Sequence, residues 1–289
     1  MTTIAFLGLG NMGGPMAANL VKAGHTVHGF DPVPEAVKAA QNNGIETFPT
    51  AVEAVAVAQV VITMLPNGAI VKQLYDEILP ASATGTLFID SSTISVADAR
   101  EINSRAGDLG FAQVDAPVSG GVKGATAGTL AFMVGGTEEA FAAARTTLDP
   151  MAGKIIHCGD TGAGQAAKVC NNMLLAVQQI AVGEAFVLAE KLGLSDQALY
   201  DVVTGATGNC WAIETNCPVP GPQPTSPANN EFKPGFATAL MNKDLGLAMD
   251  AIADTGSRAP LGTHAAQLYR AFAEQNAGLD FSAIIETLR

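Results

Sequence analysis

The chain predicts a doubly wound α/β sheet in its first half and an all-helical second half. Three observations carry the prediction. Up to about residue 160, short apolar runs alternate with helical stretches, the rhythm of a mostly parallel sheet covered on both faces. After Gly159-Asp160-Thr161-Gly162-Ala163-Gly164 no convincing strand follows. Between the two rhythms, residues 164–192 read as one long helix, apolar on most faces.

The elements follow in order. Strands are expected at Thr3–Gly8, Thr26–Phe30, Gln59–Met64, Thr86–Asp90, Ala112–Asp115, Leu130–Gly135 and Lys154–His157. Helical patterns lie between them at Asn11–Ala23, Ala69–Ile78, Val96–Leu109 and Thr137–Leu148. Beyond the long helix, further helices are expected at 196–205, 236–255, 260–274 and 281–288. The expected domains are residues 1–162 and 163–289, joined by that helix. Residues 208–235 stand apart: six prolines forbid a helix, yet Trp211 and Phe232 are apolar anchors that a linker rarely carries. An ordered loop near the site is favoured, with packing against a neighbouring subunit as the alternative.

The first strand runs into Gly8-Leu9-Gly10-Asn11-Met12-Gly13. Gly8 permits a tight turn, Gly10 lets the backbone approach a pyrophosphate, and Gly13 lets helix and strand pack closely. The helix that starts here aims free N–H groups at phosphate. Asp31 ends the next strand, about 20 residues on, where a carboxylate accepts ribose hydroxyls. No arginine follows it to receive a 2′-phosphate (Pro32-Val33-Pro34), so NAD is expected rather than NADP. The first half thus reads as a Rossmann-type domain.

Composition narrows the function. A net charge of −12 argues against nucleic acid or an anionic membrane as partner. Hydrophobic content of 48% against 15% charged fits a large core and a chain that buries surface against copies of itself. Cys158, Cys170, Cys210 and Cys217 show no metal spacing, and the four histidines form no cluster, so no metal is expected. The first strand begins by residue four with no basic leader, which makes the expected location cytoplasmic. The apolar stretch Met173–Ala189 is interrupted by Gln178, Gln179 and Glu184 and reads as a buried helix rather than a membrane span.

Four polar constellations remain. Met64-Leu65-Pro66-Asn67 and Asp90-Ser91-Ser92-Thr93 end the third and fourth strands, where ligands of a doubly wound sheet lie. Leu65, Pro66 and Thr93 are candidate cofactor contacts; Thr93 or Ser95 is equally a helix cap. Ser119-Gly120-Gly121 offers a hydroxyl and open backbone N–H groups, suited to a carboxylate. Lys168 and Asn172 share a helix face among small apolar residues. Such surroundings disfavour a charged lysine and make it a candidate proton shuttle. A lysine snorkelling to solvent is the alternative.

Together the segments FLGLGNMGGPMAANL, DAPVSGG, GTLAFMVGG, GAGQAAKVCNNMLL and LMNKDLGLA resemble the β-hydroxyacid dehydrogenases over essentially the whole chain, and most closely the branch that acts on 3-hydroxyisobutyrate. The resemblance implies NAD-dependent oxidation of a 3-hydroxy acid. It implies Lys168 as the catalytic lysine and Asn172 as its partner. Ser119, Gly120 and Gly121 would hold the substrate carboxylate. Lys243 and Asp244 would lie near the cofactor, with Asp244 and Trp211 among the substrate contacts. Imine reductases share the fold but replace the catalytic lysine, so Lys168 argues against them. The expected substrate is 3-hydroxyisobutyrate, in valine breakdown. Serine, 3-hydroxypropionate and tartronate semialdehyde are the alternatives within the family. A catalytically silent NAD-binding protein is the alternative outside it.

Overall fold

Alternation in Thr3-Ile4-Ala5-Phe6-Leu7 gives the sheet its two faces. Ile4 and Phe6 bury on one side, Ala5 and Leu7 on the other. Both sides are apolar because helices cover both. The computed structural model describes residues 1–289 as two units, Met1–Lys168 and Val169–Arg289.

The first unit runs β1 (Thr3–Leu7), α1 (Gly13–Lys22), β2 (Thr26–Phe30), α2 (Pro34–Gln41), β3 (Glu46–Thr47), α3 (Ala51–Val55), β4 (Val60–Thr63) and α4 (Gly68–Ile78). It continues through β5 (Leu87–Asp90), α5 (Val96–Asp108), β6 (Ala112–Asp115), β7 (Val118–Ser119), α6 (Gly121–Ala127), β8 (Leu130–Gly135), α7 (Glu138–Leu148) and β9 (Ala152–Gly159). The strand order is β3-β2-β1-β4-β5-β6-β8, with β7 and β9 both paired to β8. From β3 to β6 every pairing is parallel, and the direction reverses only where β8 meets β6 and β7. The order therefore reverses between β1 and β4, the switch point at which such sheets bind ligands.

Helix α8 (Ala163–Lys191) begins in the first unit and continues into the second, about 43 Å long at 1.5 Å per residue. The second unit adds α9 (Asp196–Thr204), α10 (Trp211–Glu214), α11 (Thr238–Thr255) and α12 (Pro260–Asn276). Its cores gather Ala176 and Ile180 of α8 with Met241, Leu245, Tyr269 and Phe281, and Phe186 with Ile213, Cys217 and Val219. By length and composition α8 could cross a membrane, with a window of mean hydropathy 1.4. Half of that window is buried inside the protein, as in the core helix of a globular protein.

Besides adding α2, β3, α3 and β7, which the sequence pattern does not announce, the structure departs from the sequence reading at three further places. The expected final helix at 281–288 is a 3-10 stretch, Phe281–Thr287. The proline-rich segment holds one helical turn, Trp211–Glu214, and a 3-10 turn at Pro227–Asn230. The glycine turn after Ser119 is the entrance to α6: Gly120 and Gly121 take φ of 131° and 60° and the helix follows at once.

Candidate active site

The glycines of the first loop divide their work by space. Gly8 adopts φ 96°, and a Cβ there would lie 2.3 Å from the Met64 carbonyl oxygen. At Gly13 a Cβ would lie 1.8 Å from the Gly8 carbonyl, so α1 sits against β1 only without a side chain. At Gly10 a Cβ would meet nothing within 4 Å, which leaves open space over the loop where phosphate would approach. Leu9 is buried, Asn11 exposed and Met12 half-buried just ahead of α1.

Asp31 follows β2 and holds the loop from the far side. Its carboxylate accepts the Leu9 N–H at 2.7 Å and the Val33 N–H at 2.8 Å. Each oxygen keeps lone-pair capacity for a ribose hydroxyl. Around Asp31 lies an open pocket of about 610 Å³, with Pro32, Val37, Lys38 and Phe48 in its wall. The open space at Gly10 and the carboxylate of Asp31 fit an adenine dinucleotide.

The strand ends form the next layer. Leu65 N–H donates to Ser92 Oγ at 2.9 Å, tying the loop after β4 to the loop after β5. Pro66 is exposed beside it, and Asn67 caps α4 by accepting the Ile70 N–H at 3.0 Å. Ser95, rather than Thr93, caps α5, accepting the Asp98 N–H at 2.9 Å. Thr93 is left half-buried in the loop itself.

Beneath these loops lie two buried carboxylates. Asp90 accepts from Thr63 Oγ1 at 2.8 Å and from the Ser92 N–H at 3.1 Å, while its Oδ2 has no partner. Burial pushes its carboxyl up to about 6, against the bonds from Ser92 and Thr63, with the Asp115 charge adding to the rise. Asp115 is likewise raised by burial, although it accepts the N–H groups of Gly162 at 2.7 Å and Gln165 at 2.8 Å. It thereby caps the first turn of α8.

The raised Asp90 value predicts a pH dependence of stability. Between its ordinary value of 3.8 and about 6, the folded protein binds a proton that the unfolded chain has released. Stability should fall as pH rises through that window, by about 3 kcal/mol at most. Asp90→Asn cannot ionise and should flatten that slope in thermal unfolding from pH 4 to pH 7. The slope is the diagnostic, because the new amide nitrogen itself needs an acceptor. A variant that keeps the wild-type slope would assign the dependence to other groups.

Ser119, Gly120 and Gly121, expected to hold a carboxylate, lie at β7 and the start of α6. Ser119 and Gly121 are half-buried and Gly120 is exposed. The left-handed Gly120-Gly121 pair turns the chain into α6, and Lys123 of that helix is exposed. Lys168, on α8, is 6% exposed and so is not a snorkelling surface lysine.

In the second unit, Asn172 is buried one turn further along α8. Its Nδ2 donates to Asp244 Oδ2 of α11 at 2.5 Å, and its Oδ1 accepts from Asn171 Nδ2 at 2.9 Å. Asp244 therefore orients the Asn172 amide, a job that spacing along the chain did not disclose. Lys243, beside it, is half-buried. Trp211 opens α10 half-exposed, whereas Phe232 packs against both cores of this unit.

A sheet with its dinucleotide loop at the switch point, followed by a helical unit, is the build of the NAD-dependent hydroxyacid dehydrogenases. Residues 3–159 match the family described as the NAD binding domain of 6-phosphogluconate dehydrogenase. Residues 162–288 match the one described as NAD-binding of NADP-dependent 3-hydroxyisobutyrate dehydrogenase. The solved structure of Mycobacterium tuberculosis 3-hydroxyisobutyrate dehydrogenase with L-serine is 70% identical, with a TM-score of 0.97 over 100% of this chain and 99% of that one. The 3-hydroxyisobutyrate dehydrogenase of Pseudomonas aeruginosa is 47% identical over 100% of this chain and 99% of its own. An NAD-dependent L-serine dehydrogenase of the same organism is 45% identical over 98% and 97%. The chain belongs to the 3-hydroxyisobutyrate dehydrogenase family and is an NAD-dependent hydroxyacid dehydrogenase.

Proposed function

We propose that this dehydrogenase oxidises 3-hydroxyisobutyrate to methylmalonate semialdehyde in valine breakdown, with Lys168 as the base. The burial of Lys168 one helical turn from an amide held by Asp244 carries the reading. Gly8 to Gly13, Asp31, Leu65, Pro66, Thr93 and Lys243 would hold NAD, which supplies the hydride acceptor when bound. Lys168 Nζ takes the proton of the substrate hydroxyl; in the reverse direction it returns that proton to the carbonyl oxygen. Asn172 keeps the hydroxyl in register, since its amide is already turned by Asp244 and Asn171. Ser119 and the N–H groups of Gly120 and Gly121 anchor the carboxylate. Trp211 offers an apolar ring to the 2-substituent.

L-Serine is the second reading, since a relative at 45% identity is named for it. Steady-state assays with 3-hydroxyisobutyrate, L-serine, 3-hydroxypropionate and tartronate-type acids decide between them. An apolar pocket separates a methyl group from a polar one by about 1–3 kcal/mol, so the preference is graded. Trp211→Ala should shrink the ratio of kcat/KM for 3-hydroxyisobutyrate over serine, with NAD affinity unchanged. An unchanged ratio would remove Trp211 from the substrate contacts, and a higher kcat/KM for serine would overturn the lead reading.

The same proposal includes self-association as a homodimer or homotetramer and a cytoplasmic location, with no nucleic acid or membrane partner. Cys170, Leu174, Ala181, Ala185 and Leu188 are all exposed along one side of α8, an apolar stripe at helical spacing. Light scattering at micromolar concentration should give a dimer or tetramer mass. A monomer mass would refute it.

A further inference from the structure

Gln165 lies fully buried in the first turn of α8, three residues before Lys168. Its carboxamide reaches the loop after β5 on both sides of Thr93. Nε2 donates to the Ser92 carbonyl at 2.7 Å, and Oε1 accepts the Ile94 N–H at 3.2 Å. One side chain therefore grips the two neighbours of Thr93. Through Ser92 Oγ the same loop also holds Leu65. On the helix side, the Gln165 N–H is fixed by Asp115 Oδ2 at 2.8 Å.

We propose that Gln165 is a positioning residue that locks the cofactor-facing loop Ser92–Ile94 to the helix turn bearing Lys168. The proposal rests on the reading of Lys168 as the base. Capping does not explain the carboxamide, because Asp115 already caps this helix through backbone N–H groups. Nor does volume, since an apolar side chain of equal length would fill the same space. What an apolar side chain lacks is the donor and acceptor that match Ser92 and Ile94. Losing them would leave two buried backbone groups unpaired and let the loop move against the helix.

The test is Gln165→Met, alone and combined with Lys168→Ala. A misplacement of about 1 Å costs on the order of 10²-fold in rate, so kcat should fall by about 10- to 100-fold. KM for the hydroxy acid should change little, because the lost register acts on the chemical step. NAD affinity, read by calorimetry without substrate, should weaken, since the loop must then be ordered on binding. In the Lys168→Ala background, Gln165→Met should remove little further turnover but still weaken NAD binding. A side chain that only fills space would instead give additive losses in turnover and unchanged NAD affinity.

Should Lys168→Ala keep its turnover, the base reading fails, and the NAD affinity of Gln165→Met still decides the clamp. Wild-type kcat and wild-type NAD affinity in Gln165→Met would overturn the clamp whatever Lys168 does. Should Gln165→Met fail to fold, Gln165→Glu keeps the size and the acceptor for Ile94 but loses the donor for Ser92. The same two readouts then apply, and wild-type values in both would overturn the proposal.

Discussion

Lys168→Ala should fold, bind NAD as the wild type does, and lose turnover by about 10²- to 10⁴-fold, the range that a positioned general base contributes. The side chain is buried at 6% exposure, so its truncation removes a group from the protein interior rather than from solvent. The loss should fall on kcat and kcat/KM alike, the mark of an interaction made in the transition state. Lys168→Arg separates two roles. A guanidinium keeps the positive charge but is never deprotonated in a protein, so it cannot accept the hydroxyl proton. If Lys168 is the base, the arginine variant should be as slow as the alanine one. If arginine restores turnover, the residue acts through charge alone. Near-wild-type turnover in Lys168→Ala would move the proton transfer to another group.

The features legible in the sequence are those whose causes are local. Gly8, Gly10 and Gly13 announced their loop because a turn, an open approach and a close packing each need a missing side chain nearby. Strands β1, β2, β4, β5, β6 and β8 showed as apolar runs of four to six residues. Strands β3 and β7 have two residues each, too few for any pattern to register. Helix α10 was hidden by composition: the prolines begin at Pro218, past the end of the turn at Glu214, so their density says nothing about 211–214. Gly120 and Gly121 hid α6 in the same way, since the residues that turn the chain into a helix look like those that end one.

The candidate site was legible to a different degree. Lys168 with Asn172 and Ser119 with its glycines are short motifs and could be found by spacing. Their supports could not. Gln165 meets Ser92 across 73 residues, and Asn172 meets Asp244 across 72. Asp90 and Asp115 stood in the strand-end motifs, but only the folded sheet places Asp115 under the first turn of α8 and leaves Asp90 Oδ2 without a partner. A buried polar side chain declares its partner only in three dimensions.

The proline-rich loop shows the same division, and it yields the second large expected effect: Asp280→Ala should destabilise the protein by about 4 kcal/mol. Prolines reduce the freedom of the unfolded loop, which was visible in the sequence. The anchor was not, because it lies beyond the loop. Asp280 is 1% exposed. Its Oδ1 accepts Asn216 Nδ2 at 3.1 Å, the Ser282 N–H at 3.0 Å and Ser282 Oγ at 2.7 Å. Its Oδ2 accepts the N–H groups of Gly235 at 3.0 Å and Phe236 at 3.1 Å. One carboxylate thus joins both ends of the loop to the C-terminal 3-10 stretch. Its own N–H donates to the Phe232 carbonyl at 2.8 Å, beside Glu231 and Phe232 in the left-handed region at φ 49° and 51°. Side-chain residues rarely stay there unless their surroundings hold them. Alanine leaves the Ser282 donors buried without an acceptor, and each such group costs about 1–3 kcal/mol. Asp280→Asn keeps an acceptor for the Oδ1 set but turns a donor toward Gly235 and Phe236, so it should lose about half as much. Thermal unfolding of the three proteins, with limited proteolysis of residues 217–234, is the measurement. The alanine variant should be cut in the loop well below its unfolding temperature. Wild-type resistance there, with a stability loss under about 1 kcal/mol, would mean that proline stiffness alone orders the loop.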